Sequence, residues 1–210
     1  MLSHPISNRF VTPEVILNAY YQGLFPMANE RGEIGFYVFE PRGIVPLDGR
    51  FHVRRSVRQV LKKKNFQVTF DTAPLEVLRG CARVGVVPAY QLWLSDELME
   101  LYLRLFEMGR MHTVEVWEPS ANFGGERQLL GGLYGITFGG AFCGESMFSR
   151  TPFASQIALV HLVEHLRQHG FTLLDAQMSS EHLKQFGLYE CSQQEYLDYF
   201  YEAAEVPVTF

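Results

Sequence analysis

Residues 129–150 read LLGGLYGITFGGAFCGESMFSR, and no other stretch constrains the architecture as strongly. Gly139-Gly140 separates two apolar runs, the pattern of a two-residue hairpin turn, so 129–138 and 141–148 are expected as paired strands. On an extended 141–148 the side-chain period of two sets Cys143, Glu145 and Met147 on one face and Phe142, Ser146 and Phe148 on the other. Both faces are largely apolar, which marks an interior strand. Glu145 then needs a partner, because an isolated buried carboxylate is too costly to keep ionised. Two readings are open: an ion pair with a core arginine, or a carboxylate held for the amine of a ligand.

Outward from the hairpin, 152–169 has the spacing of an amphipathic helix, with Ile157, Leu159, Leu162, Val163 and Leu166 on its apolar side and Gly170 after it. Residues 171–177 read as a strand and 193–203 as a final helix. Upstream, 53–64 is expected as a helix, 66–70 as a strand, 74–82 as a short helix opened from Asp71 or Thr72, and 84–90 as a loop. A helix capped by Ser95 and ended by Gly109 follows, then a strand at 112–117. Helices and strands interleaved around an antiparallel hairpin make the class α/β, with a mixed α+β sheet. Ahead of all this, Thr12-Pro13-Glu14 opens a helix that Gly23 and Pro26 close. Gly32, Gly35, Pro41, Gly43 and Pro46 then cut short aromatic runs into turns and brief strands. A soft boundary near Arg42 divides the chain into a small N-terminal domain, 1–42, and a larger domain, 43–210. One short helix and a few brief strands cannot build a core alone, so the first part is expected to pack on the second.

Composition narrows the setting. A 47% hydrophobic, 14% aromatic chain is an ordered globular one. The first residues lack the apolar core of a signal peptide, and the longest uncharged stretch, 129–144, is too short and glycine-rich to span a bilayer. Cys81, Cys143 and Cys191 stand far apart without a C-x-x-C pair, which fits a reducing compartment. The expectation is a cytoplasmic monomer with no membrane partner. A net charge of −5 argues against wholesale coating of nucleic acid, yet Arg50, Arg54, Arg55, Arg58, Lys62, Lys63 and Lys64 gather seven of the eighteen basic residues with no acid between them. Such a run is either a solvated helix face or a polyanion surface, and the missing counter-charge favours the surface.

Near the C-terminal end of 171–177, FTLLDAQ, Asp175 and Gln177 share a face with Leu173, where sheets of this class tend to keep their sites. Asp175 either caps the following loop or fixes the neighbouring amide toward an attacking amine or a developing oxyanion. Cys143 and Ser146 have no base beside them, and His161 and His165 share a helical face without the acid or cysteine that would complete a metal site. A coenzyme A site needs a glycine-rich turn before a helix, whereas Ser149 to Ala154 is bulky and contains no glycine.

Several ordered blocks, AYYQGLFPM, EPRGIVPLDGRFHVRRS, FEMGRMHTVEVWE, LLGGLYGITFGGAFCGESMFSR and LLDAQ, together resemble the bacterial leucyl/phenylalanyl-tRNA–protein transferase family over nearly the whole chain. The resemblance implies an acetyltransferase-like C-terminal domain, used without coenzyme A or another cofactor, behind a small N-terminal domain. It implies transfer of Leu, Phe or Met from aminoacyl-tRNA to the N-terminal Arg or Lys of a protein, marking it for N-end pathway degradation. An acetyltransferase-like enzyme with another acyl donor and a non-catalytic RNA-binding protein are the alternatives. Position by position, the resemblance makes Asp175 and Gln177 the pair assisting amine attack, with Glu145 lining the same site. It gives Phe142, Met147, Leu159 and Leu162 to the aminoacyl pocket, and Trp93, Tyr102 and Tyr20 to the surroundings of the terminal adenosine. Ser180 stands in the site where some members have Asn, and Arg54, Arg55, Arg58, Lys62, Lys63 and Lys64 would hold the acceptor stem. The chain departs from the family pattern at Met27, at Phe36-Tyr37-Val38-Phe39 and at Gln156. An aminoacyl ester is already activated, so aligning an amine and steadying the oxyanion suffices, with no metal or covalent nucleophile required.

Overall fold

A computed structural model describes residues 10–63, 65–82, 93–119 and 127–210; Lys64 and the expected loop at 84–90 lie outside them. Helix α1 (Pro13–Tyr20) starts as its sequence predicts, with the Thr12 hydroxyl oxygen accepting the Val15 N–H at 3.4 Å and proline in the first turn. It ends before Gly23, whose φ of +72° and close approach to Gln193 admit no side chain. Among the described residues, strands β1 (Phe25–Ala28) and β2 (Ile34–Tyr37) pair only with each other. The next strand, β3 (Arg42–Val45), opens at the residue where the sequence suggests a boundary, and it enters the main sheet.

That sheet also contains β4 (Gln67–Phe70), β5 (Met111–Trp117), β6 (Leu129–Phe138), β7 (Ala141–Ser149), β8 (Leu173–Gln177) and β9 (Tyr189–Cys191), in the order β4-β5-β6-β7-β8-β3-β9. The β6–β7 hairpin turns at Gly139-Gly140 as expected. The class is the predicted one, a mixed α/β sheet. Helices α3 (Pro74–Cys81), α4 (Asp96–Glu107) and α7 (Gln193–Ala204) join α1 in supplying or covering the core cluster that holds Tyr20, Tyr102 and Tyr134, on one side of the sheet. The opposite cluster is built on α5 (Ala154–Gln168), with Val57 of α2 (Arg55–Lys63) and Leu183 of α6 (Glu181–Lys184).

Helix α2 begins at Arg55, two residues later than its pattern suggests. Helix α3 begins at Pro74 as expected, but Ala73 before it has no capping side chain, and neither Asp71 nor Thr72 caps it. The buried Glu115 of β5 fixes the chain entering it instead, accepting the Thr72 and Ala73 N–H groups at 3.3 Å each. Helix α5 begins two residues later than its pattern suggests, because Phe153 takes a φ of +73° and the Ser149 hydroxyl accepts the Ser155 N–H at 2.8 Å. The short α6 and β9 carry too few residues for a periodic signal.

Two irregularities open the sheet beside Asp175. Strand β7 pairs in parallel with β8 only from Ala141↔Leu173 to Cys143↔Asp175, although both strands continue, so they part at Asp175. At that level β7 carries a bulge: Gly144 faces Gly135 and Ser146 faces Tyr134, leaving Glu145 as the extra residue. A second bulge lies on β8, where Gly43 faces Gln177 and Ile44 faces Asp175.

Candidate active site

The gap between β7 and β8 is bridged by side chains rather than by backbone. Gln177 donates its Nε2–H to Glu145 Oε1 at 2.7 Å, and the Tyr102 hydroxyl donates to Glu145 Oε2 at 2.9 Å. Gln177 holds a φ of +59°, and its own N–H donates to Asp175 Oδ1 at 2.8 Å. Asp175 is fully buried and takes two bonds from Arg42, Nε to Oδ1 at 2.9 Å and Nη2 to Oδ2 at 2.6 Å. The core arginine that the sequence offered Glu145 therefore belongs to Asp175. Asp175 caps the turn at Gln177 through that residue's backbone N–H, while the Gln177 side-chain amide is held by Glu145.

Burial pushes the Glu145 carboxyl up to about 7, against the tyrosine contacts that favour its charged form. The Tyr20 hydroxyl lies beside the same carboxylate without completing a hydrogen bond of normal geometry. Tyr134, whose ring meets that of Tyr102 edge to face at 5.1 Å, has no partner for its hydroxyl among the described residues. Burial raises all three phenols well above their ordinary range, so they remain protonated. It does the same to the Cys143 thiol, which removes Cys143 as a nucleophile.

Beneath the bridge lies a cavity of about 270 Å³. Met147, Leu159, Leu162, Leu133, Leu174 and Leu183 give it apolar walls, while Glu145, Ser146, Asp175, Gln177, Ser180 and His182 are among its polar lining. Ser180 also caps α6, accepting the Leu183 N–H at 3.3 Å. Of the residues singled out in the sequence, Asp175, Gln177, Glu145, Met147, Leu159, Leu162 and Ser180 line this one cavity, and Tyr102 and Tyr20 stand behind Glu145. Phe142 does not line it; fully buried, its ring stacks on Phe210 at 5.6 Å. Trp93 packs against the other core cluster and accepts the Ala28 N–H through its carbonyl at 2.7 Å. Arg54, just before α2, and Arg55, Arg58, Lys62 and Lys63 along it are exposed, and the helix packs on the side of the sheet that α5 covers. None of them pairs with a carboxylate among the described residues.

With this geometry established, comparison with known proteins is decisive. Residues 44–201 match the family model "Leucyl/phenylalanyl-tRNA protein transferase", and residues 11–37 match the model of that family's N-terminal domain. The chain belongs to this family. A member from Akkermansia muciniphila is 48% identical over 190 residues, covering 90% of this chain and 94% of its own. One from Paramagnetospirillum magneticum is 45% identical over 192 residues, covering 90% and 88%, and one from Herpetosiphon aurantiacus is 40% identical over 200 residues, covering 95% and 98%. All three are named leucyl/phenylalanyl-tRNA–protein transferases. Among the described residues no helix is long and apolar enough to cross a membrane.

In and around this cavity, sequence reasoning missed Arg42, Tyr134 and His182. Arg42 carried a usable signal: a cation opening the apolar run RGIV needs a buried partner by the argument applied to Glu145. Tyr134 and His182 carried none, since an aromatic on a core strand and a histidine near a helix start are ordinary.

Proposed function

We propose that this protein transfers Leu, Phe or Met from aminoacyl-tRNA to the N-terminal Arg or Lys of acceptor proteins, which marks them for N-end pathway degradation. One observation carries the reading: an apolar cavity of side-chain size lies under the Gln177–Glu145 bridge. The cavity takes the aminoacyl side chain, which presents the ester at the polar rim. Because Gln177 Nε2 is committed to Glu145, the carbonyl oxygen of that amide is left as an acceptor. It orients the N–H of the incoming α-amine as the nitrogen lone pair attacks the ester carbon. The new C–N bond forms, the C–O bond to the terminal ribose breaks, and the amine proton ends on the ribose hydroxyl. Glu145, with its proton balanced near neutrality and its carboxyl lining the same cavity, takes the amine proton directly and returns it to the ribose oxygen. The exposed cations of α2 hold the acceptor stem.

The test is incubation of the purified protein with labelled Phe-tRNA and a peptide beginning with Arg. Transfer that ribonuclease abolishes, and that stops when the peptide amine is acetylated, is the expected result. Absence of transfer would sink the reading, while transfer from another acyl donor alone would favour a different acyltransferase.

A further inference from the structure

Arg42 is fully buried, yet it is not part of the cavity wall, and the transfer chemistry does not use it directly. A buried ion pair adds little stability over a well-packed apolar pair, so its arrangement calls for another explanation. Its Nε and Nη2 grip the two oxygens of Asp175, and Nη1 donates to the Gly23 carbonyl at 3.0 Å. The guanidinium lies over the Tyr196 ring at 4.1 Å, with Phe25 at 5.5 Å. One planar group thus joins the turn after α1, the C-terminal helix and the strand of the site. Asp175 Oδ1 is shared between Arg42 and the Gln177 N–H. That second bond holds a non-glycine residue in the left-handed region, which is unfavourable without such support. In this conformation the Gln177 side chain reaches Glu145.

We propose that Arg42 is a positioning residue for the transfer reaction, fixing Asp175 so that Asp175 fixes the Gln177 amide against Glu145. The proposal rests on the transferase reading. It also explains why β3 sits beside β8: the antiparallel pairing of the two strands delivers the guanidinium to the carboxylate. A lysine preserves the charge but not the planar fork that grips both oxygens.

The experiment therefore compares Arg42→Lys with the wild type. In Arg42→Lys, kcat should fall about a hundredfold, the cost of misplacing a reacting group by about 1 Å. KM for Phe-tRNA should stay within about twofold, because uniform binding is untouched. In the protein without tRNA or peptide, the side-chain amide NMR signals of Gln177 should move toward those of a free glutamine. Added to Asp175→Asn, the same substitution should cost less than about a further twofold, since both changes break one linkage. Tyr196→Leu keeps both charges and removes the ring under the guanidinium; it should lower kcat less, again without raising KM, and it carries the test if Arg42→Lys does not fold. Gln177 signals at their wild-type positions in a folded variant, or losses that multiply with Asp175→Asn, would overturn the proposal. The amide signals decide the Arg42 linkage whether or not the wild type transfers, whereas failure of the wild type to transfer counts against the transferase reading alone.

Discussion

Glu145 and Asp175 are both carboxylates of the same gap, and their surroundings differ. Asp175 meets a guanidinium fork; Glu145 meets a phenol and an amide, and burial lifts it to about 7. A carboxyl that keeps its proton to about 7 when folded, against 4.5 ordinarily, binds more protons in the folded state between those values. The folded state therefore loses stability as pH rises across that window. Glu145→Gln has no proton to lose, so whatever its fixed cost, thermal melts should show it gaining on the wild type from pH 4.5 to 8. The same substitution should delete a limb near 7 from the pH profile of transfer, leaving only titration of the acceptor amine, near 8 for an ordinary N-terminus. A limb that persists near 7 would remove Glu145 from the proton path. Asp175→Asn keeps the shape but breaks the charged pair, at a cost of about 3–5 kcal/mol where a buried partner is left uncompensated. It should lose most turnover with tRNA affinity nearly intact; a matching loss of affinity would make the residue structural. The need for a partner at Glu145 was legible in the sequence. Its identity was not, because residues 102 and 177 reach it only through the fold.

At the scale of elements, the turn of the β6–β7 hairpin was legible to the residue because two glycines and two apolar runs are local signals. The bulge was not. An ideal strand sends Phe142 and Met147 to opposite faces, but the extra residue at Glu145 reverses the alternation: Phe142 lies across from Thr137 and Met147 from Leu133, two positions of like parity. Both therefore belong to the α5 side, Met147 in the cavity wall and Phe142 in the interior. The bulge depends on Gly135, where an added Cβ would fall 2.2 Å from Phe142 Cε1 and 2.4 Å from the Cys143 carbonyl oxygen. Backbone cannot step aside as a side-chain tip can, so Gly135→Ala should cost at least the ~1–3 kcal/mol typical of overpacking. At about 2–4 °C per kcal/mol for a chain of this size, calorimetry should find the midpoint several degrees lower. Transfer should slow as well, since shifting the bulge moves Glu145. An unchanged midpoint would mean that the strand relaxes freely and the bulge is not pinned by this glycine.

Across the whole molecule, the sheet brings residues more than a hundred positions apart, Arg42 and Asp175, into contact, which is why their pairing could not be read from local pattern. Charge is distributed unevenly over the same body. The net charge is −5, yet α2 has no acid in its first turn and exposes Arg55 and Arg58 alongside Arg54. Cations at a helix N-terminus oppose its dipole, whereas Lys62 and Lys63 in the last turn suit it. The arginines therefore weaken the helix they sit on, and a solvated face gives no reason to keep them. A phosphate backbone does, because each contact releases a condensed counterion and the affinity then falls with salt. Changing Arg54, Arg55 and Arg58 together to Gln removes at most three such contacts, so the slope of log affinity against log salt should flatten by roughly two to three. The melting midpoint should hold or rise, and turnover at saturating tRNA should stay near wild type, since the cavity is untouched. Filter binding of Phe-tRNA from low to moderate salt measures the slope, and an unchanged slope would return the stripe to the status of a solvated face.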